Sequence, residues 1–261
     1  MEKFRIGFGT SLSQMLHCKK IGADYQEVSL RDIYRLTDDE FDECIALAEK
    51  NGISYEAGKN LIPGDLQFTV DNPDFDKISK YLDVIFSRAK KMGISIAVLG
   101  SGAARDYPEG VTYEQGIERL VYFLKNYMVP VCEKYGIVCA LENLSFNESN
   151  MLNTIDESYM VVRAVDSEWI KILVDFYHFG RNRDSFDSIR KAKDYIVHTH
   201  FASVKNDRIY PAPNDGDNYK ECIDLLREIG YTGRLSFEAH EADGDSFEEV
   251  SKIALDYFRT L

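Results

Sequence analysis

Eight short apolar runs alternate with helical segments from one end of this chain to the other. The runs are Phe4–Phe8, Tyr25–Leu30, Ile53–Ala57, Ile94–Leu99, Ile137–Leu141, Ile170–Val174, Ile196–Thr199 and Arg234–Phe237. Helical spacing follows over Ser11–Lys20, from a cap at Asp38 to Asn51, Asp74–Met92 and Thr112–Tyr135, the last bent near its end by Pro130. It resumes after Asp156 to Val165, then over Ser185–Lys193, Asn218–Ile229 and Phe247–Phe258. Strict alternation of this kind demands a parallel sheet with right-handed crossovers. Eight units in 261 residues fit a closed (β/α)8 TIM barrel better than an open sheet. Gly7-Phe8-Gly9 is followed by Thr10-Ser11-Leu12, so the glycine pattern of a dinucleotide-binding fold is absent. No Pro/Gly/Ser linker interrupts the pattern, and residues 1–261 read as one α/β barrel domain.

Charge and composition narrow the partners. With 44 acidic against 31 basic residues the formal charge is −13, a field that repels a phosphate backbone and disfavours nucleic acid. No stretch of 18 apolar residues exists to span a membrane, and Met1-Glu2-Lys3 leads directly towards a strand with no signal-peptide core. Five scattered cysteines (Cys18, Cys44, Cys132, Cys139 and Cys222) form no CxxC pair and sit among apolar residues. They read as structural thiols in a reducing, cytoplasmic setting.

The chemistry gathers at strand ends. Val138-Cys-Ala-Leu runs into Glu142, Ile170–Val174 into Asp175, Tyr195–Thr199 into His200 and Arg234–Phe237 into Glu238. A buried strand has no use for an unpaired carboxylate, since desolvating the charge costs several kcal/mol unless it meets a cation. In a (β/α)8 barrel the C-terminal strand ends converge on one face, so four neighbouring tips meet at a point. Three carboxylates and an imidazole form a hard site suited to Mn²⁺, Mg²⁺ or Co²⁺; Zn²⁺ is more often given additional His or Cys. Mn²⁺ ranks first.

These pieces resemble the sugar isomerase/epimerase superfamily of xylose isomerase-like barrels, which also holds ketose 3-epimerases and apurinic endonucleases. The matching segments are Leu141-Glu-Asn143, Asp175-Phe-Tyr-His178, His198-Thr-His200 and Leu235-Ser-Phe-Glu238, with Asn60-Leu-Ile-Pro63 and Gly100-Ser-Gly102 as lesser matches. The resemblance implies that Glu142, Asp175, His200 and Glu238 bind one divalent ion. It also implies that Glu142 and Glu238 face each other across a substrate and move a proton beside a carbonyl, through a cis-enediolate. Glu148 and His178 would then contact substrate, Glu148 having a solvated loop acid as its alternative. Arg208, opening Arg208-Ile-Tyr-Pro211, would supply a guanidinium, with two more residues after His200 than in the ketose epimerases. Arg105 reads either as an anion-binding residue reaching the mouth from strand four or as a surface residue. His198 is expected to point away from the site or to lie one layer beneath His200, and His240 to support the site. His17 and Trp169 read as packing. Family members pair through their barrel mouths, which makes a homo-oligomer the expectation here.

A metal-dependent sugar or sugar phosphate isomerase/epimerase is therefore the leading reading, acting on a small sugar or polyol. A dehydratase or lyase on the same scaffold is the alternative, because an enediolate beside a leaving group eliminates. An apurinic endonuclease is opposed by the negative charge and by the absence of His from Lys59–Asp65 and Gly100–Arg105. A non-catalytic sugar binder would not need both Glu142 and Glu238. The ends of strands one and two (Gly9–Ser11 and Glu27) and the Asn60–Pro63 loop should shape the pocket with few charges.

Overall fold

Eight parallel strands pair in sequence order and close on themselves, β8 returning to β1. They are β1 (Arg5–Thr10), β2 (Tyr25–Ser29), β3 (Tyr55–Lys59), β4 (Ile96–Leu99), β5 (Val138–Glu142), β6 (Ile170–Asp175), β7 (Ile196–Phe201) and β8 (Arg234–Phe237). Outside them run α1 (Met15–Ile21), α2 (Leu30–Arg35), α3 (Asp38–Asn51), α4 (Phe75–Met92), α5 (Gly102–Arg105) and α6 (Tyr113–Phe123). The ring is completed by α7 (Val129–Tyr135), α8 (Ile155–Val165), α9 (Phe176–Asn182), α10 (Phe186–Ala192), α11 (Tyr219–Glu228) and α12 (Phe247–Phe258). This computed structural model describes residues 4–261; Met1–Lys3, the start of the segment read as leading into the first strand, lie outside the described residues.

Local chemistry explains the element boundaries. Thr37, not Asp38, caps α3: its hydroxyl accepts from the Glu40 N–H, and the Glu40 carboxylate accepts from Thr37 N at 2.8 Å. Asp74 caps α4, and Gly93 ends it at φ +86°, where a side chain would be strained. The long helix expected over Thr112–Tyr135 is three pieces. Pro130 has no N–H to offer the carbonyl of Asn126, and the chain widens into a π-helical turn over Leu124–Met128, with Val129 N bonding Leu124 O. The strand expected at Ile53–Ala57 runs two residues later, through Lys59. Two short helices, α2 and α9, follow their strands without a loop because a strand-terminal side chain caps each. Ser29 accepts from Asp32 N, and Asp175 from Tyr177 N and His178 N.

The main core lies between strands and helices, and a second apolar layer fills the barrel. That inner layer is Tyr25, Ala57, Ile96, Val98, Ala140 and Leu173. Side chains alternate along a strand, so the residues two steps beyond Ala57, Val98, Ala140 and Leu173 share their face. These are Lys59, Gly100, Glu142 and Asp175. The Tyr25 ring passes over Gly7 of β1 to Ser236 on β8, hydroxyl to hydroxyl at 2.7 Å. A Cβ at Gly7 would stand 2.4 Å from that ring. At the other end of the barrel Glu56 pairs with Arg5 and with Arg234, whose Nε lies 2.5 Å away. The thiols of Cys18 and Cys132, raised by burial to about 11 and about 12, pack as apolar groups. No helix among the described residues is long and apolar enough to cross a membrane.

Gly7→Ala forces the Tyr25 ring to move and is expected to lower stability by about 1–3 kcal/mol. Urea denaturation measures this, and an unchanged midpoint would contradict the packing described.

Candidate active site

Strand register carries the four tip residues to one place. Glu142 pairs with Leu173, two residues before Asp175; Asp175 pairs with His200; His200 pairs with Ser236, two residues before Glu238. One ligand atom from each of Glu142, Asp175, His200 and Glu238 lies within 4.8 Å of the other three. His200 Nδ1 is 3.1 Å from Glu142, 3.3 Å from Glu238 and 3.8 Å from Asp175.

Neighbours orient each of these groups. Asn143 clasps the backbone of Asp175 across the β5–β6 gap, accepting from its N–H at 2.9 Å and donating to its carbonyl. Asp175 Oδ1 accepts the α9 capping bonds, leaving Oδ2 turned towards His200 and Arg208. Gly100 makes room for Glu142, since a Cβ there would lie 2.1 Å from its Oε2. Beneath the cluster the buried Glu27 accepts from Nε2 of both His200, at 3.1 Å, and His198, at 3.0 Å. With Nε2–H held by Glu27, Nδ1 faces the carboxylates and, in the charged ring, donates to Glu142; loss of that proton would free the Nδ1 lone pair for a cation, the orientation a metal-binding imidazole needs. His198 thus lies one layer below His200, with the ring centres 5.1 Å apart.

Charge divides the two glutamates. Burial, then repulsion from Glu238, raises the Glu142 carboxyl above its ordinary range. Burial also opposes ionisation of Glu238, but Lys59, His200 and Arg208 outweigh it and hold that carboxyl well below. Lys59 Nζ lies 3.0 Å from Glu238 Oε1, and Arg208 Nη2 lies 2.7 Å from Oε2. Burial would lower His200, yet Glu27, Glu142 and Glu238 together raise it well above a normal imidazole.

Around this centre the described residues line a cavity of about 530 Å³. His178 is fully buried, and its Nδ1 accepts from Ser145 N at 3.1 Å, which puts the ring proton on Nε2. That Nε2 has no hydrogen-bond partner among the described residues, and stands 3.8 Å from Glu148 and 3.9 Å from Asp175. Arg208 lies over the Tyr177 ring and 3.7 Å from Glu148. Its backbone is left-handed (φ +67°), as is that of Asp207 (φ +51°), and the His240 N–H braces its carbonyl. His240 itself is exposed on the cavity rim, and His17 packs edge-on against Phe247.

Arg105 is not brought to the mouth. Its side chain is fully buried and donates to the carbonyls of Leu99, Glu142, Met151 and Leu152 and to Ser149 Oγ. Every guanidinium nitrogen is engaged in tying the end of β5 to the loop after it, so the anion-binding role expected for Arg105 is corrected to a structural one. Glu27, Lys59 and Arg31 are the site residues that sequence reasoning underrates. The period-two spacing from Ala57 was the available signal for Lys59.

A closed parallel barrel with acids and imidazole at adjacent strand tips defines a class, and sequence comparison agrees. The chain belongs to the xylose isomerase-like TIM barrel family, whose description matches residues 16–261. It is 27% identical over 225 residues to a D-psicose 3-epimerase of Ruminiclostridium cellulolyticum, covering 84% of this chain and 74% of that protein. It is 24% identical over 254 residues to an inosose isomerase of Halalkalibacterium halodurans, covering 92% and 87% respectively. The crystal structure of a 3-keto-D-glucoside 4-epimerase from E. coli superposes with a TM-score of 0.84 at 18% identity, over 99% of this chain and 100% of that one.

Two outcomes follow from the geometry. Glu27→Gln removes the charge that orients His200 and is expected to weaken Mn²⁺ binding about 10–100-fold with an unchanged circular dichroism spectrum. Unaltered affinity would contradict that role. Because His200 is held protonated without metal, loading should release about one proton, and affinity should rise with pH until the ring is neutral. Calorimetry in two buffers of different ionisation enthalpy reads this directly; identical heats would count against it.

Proposed function

We propose that the chain is a divalent-metal-dependent isomerase or epimerase of a sugar-like substrate, with Glu142 and Glu238 as the proton-transferring pair. The observation that carries this reading is the meeting of two buried glutamates at the ends of β5 and β8, one raised and one lowered by its surroundings, beside an Asp and a His able to share a cation. Environments that drive two acids apart in this way divide the roles of base and acid. The donor set fits a divalent ion: three carboxylate oxygens and an imidazole nitrogen with its far side anchored. Mn²⁺ suits these hard ligands best. When bound, such an ion supplies Lewis-acid stabilisation of negative charge developing on substrate oxygens.

The chain's own groups account for the remainder. Glu238, ionised between Lys59 and Arg208, removes a proton from the carbon beside a carbonyl, giving an enediolate. Glu142 returns a proton, from the opposite face for epimerisation. The unpartnered His178 Nε2–H is a ready donor to a substrate hydroxyl, and Glu148 is placed to accept from another. Arg208 fixes the Glu238 carboxylate and adds positive charge where the enediolate forms. A cavity of about 530 Å³ suits a ligand of monosaccharide size. The names of the relatives, a psicose 3-epimerase and an inosose isomerase, support the same chemistry.

With a panel of ketoses and inososes and the Mn²⁺-loaded protein, Glu142→Gln and Glu238→Gln should each reduce turnover by at least about 10²-fold while leaving the fold intact. His178→Ala should lower kcat/KM about tenfold and leave the bound metal in place, the loss expected for one hydrogen bond. Full activity in either glutamine variant would overturn the proton-transfer pair. Loss of water from a substrate would redirect the reading to a dehydratase.

A further inference from the structure

We propose that the barrel mouth carries an anion-binding subsite built on Arg31 with Lys59, so that the substrate of the site proposed above bears a carboxylate or phosphate group. The inference rests on that reading and adds the substrate's charge.

Both cations line the same cavity as Glu142 and Glu238. Lys59 ends β3 on the barrel's inner face. Gly9 leaves space for it, because a Cβ there would stand 3.2 Å from Nζ. One of its three N–H groups meets Glu238 at 3.0 Å, and the others remain for a ligand. Arg31 lies on α2, which starts directly at the end of β2 and so holds this residue over the mouth. Its helix neighbour Arg35 pairs with Asp32, but Arg31 is half-buried and has no carboxylate partner among the described residues. In a chain with 44 acidic and 31 basic residues, an arginine left unpaired in the central cavity runs against the prevailing charge.

The acids of the cavity have other partners: Lys59 and Arg208 meet Glu238, and Arg208 also faces Glu148. Arg31 pairs with none of them, so its guanidinium can meet an anionic group on a ligand. Gly64, Gly102 and Ala103 line the same cavity, small residues that let a ligand approach closely. Arg31 also lines a second groove of about 420 Å³, together with Arg35, Lys77 and Lys80, where the one acid, Asp65, pairs with Lys77 at 3.3 Å. The groove thus holds more basic than acidic groups, a bias that favours an entering anion. Guanidinium and ammonium groups bind carboxylate and phosphate alike.

The test compares D-fructose, D-fructose 6-phosphate and D-fructuronate, which differ only at the terminal carbon. Calorimetric binding to the Mn²⁺-loaded protein is measured for the wild type and for Arg31→Met, with deuterium incorporation from D₂O followed in parallel. At least one anionic probe should bind about tenfold more tightly than D-fructose, and Arg31→Met should remove most of that preference, as loss of a charge-assisted contact does. A larger gain for the phosphate assigns a phosphate ester as the natural group; a larger gain for the uronate assigns a carboxylate. The inference is overturned if D-fructose binds as well as both anions, if neither anion binds, or if the preference survives in Arg31→Met. An Arg31-dependent preference without deuterium incorporation would leave the anion subsite standing and count against the isomerase reading instead.

Discussion

Burial of three carboxylates around one imidazole inside a closed barrel is the constraint on which the rest of the site depends. Like charges this close cannot all stay ionised without compensating positive charge. The protein supplies it from several directions: Lys59 and Arg208 from the rim, and His200, held charged by Glu27 from beneath. A divalent ion at the same point would displace the His200 proton and use the Nδ1 lone pair that Glu27 already directs. The resulting asymmetry, with Glu238 easy to ionise and Glu142 hard, is what the proposed acid/base pair rests on.

The fold serves that arrangement at the backbone level. Parallel register places the strand tips in a rising series, and the Asn143 amide prolongs the β5–β6 pairing past the last ladder bond. Asp175 divides its two oxygens between a helix cap and the cluster, so the start of α9 fixes the carboxylate's direction. Asn60, Ser101 and Arg208, all left-handed and none of them glycine, line the cavity. The Ser101 hydroxyl accepts from Ile62 N at 3.0 Å, tying the loops after β3 and β4 together. Such conformations persist only where the surroundings enforce them, and here they stand around the cavity.

Much of this is legible in the sequence. The βα alternation gives the barrel, since no other arrangement uses eight such units so compactly. The strand-tip acids and His200 stand out because an apolar run ending in a charge is anomalous. Glu27 is harder to read: it sits in the middle of a strand, and its partners, His198 and His200, are more than 170 residues away in the chain. Lys59 and Arg31 were hidden by boundaries. A strand ending at Ala57 puts Lys59 in a loop, and a strand running through Leu30 conceals the short helix that carries Arg31. Arg105 shows the opposite failure. An arginine after a glycine-rich strand end resembles a ligand contact, and only the three-dimensional course of Glu142–Leu152 reveals the carbonyls that its guanidinium holds.

The most direct test of the central claim is anomalous diffraction at the manganese edge from crystals grown with Mn²⁺. The account predicts one peak within bonding distance of Glu142, Asp175, His200 Nδ1 and Glu238, with Glu27 still bonded to His200 Nε2. A peak on Glu27 and His198 instead, or no peak at the strand tips, would contradict it.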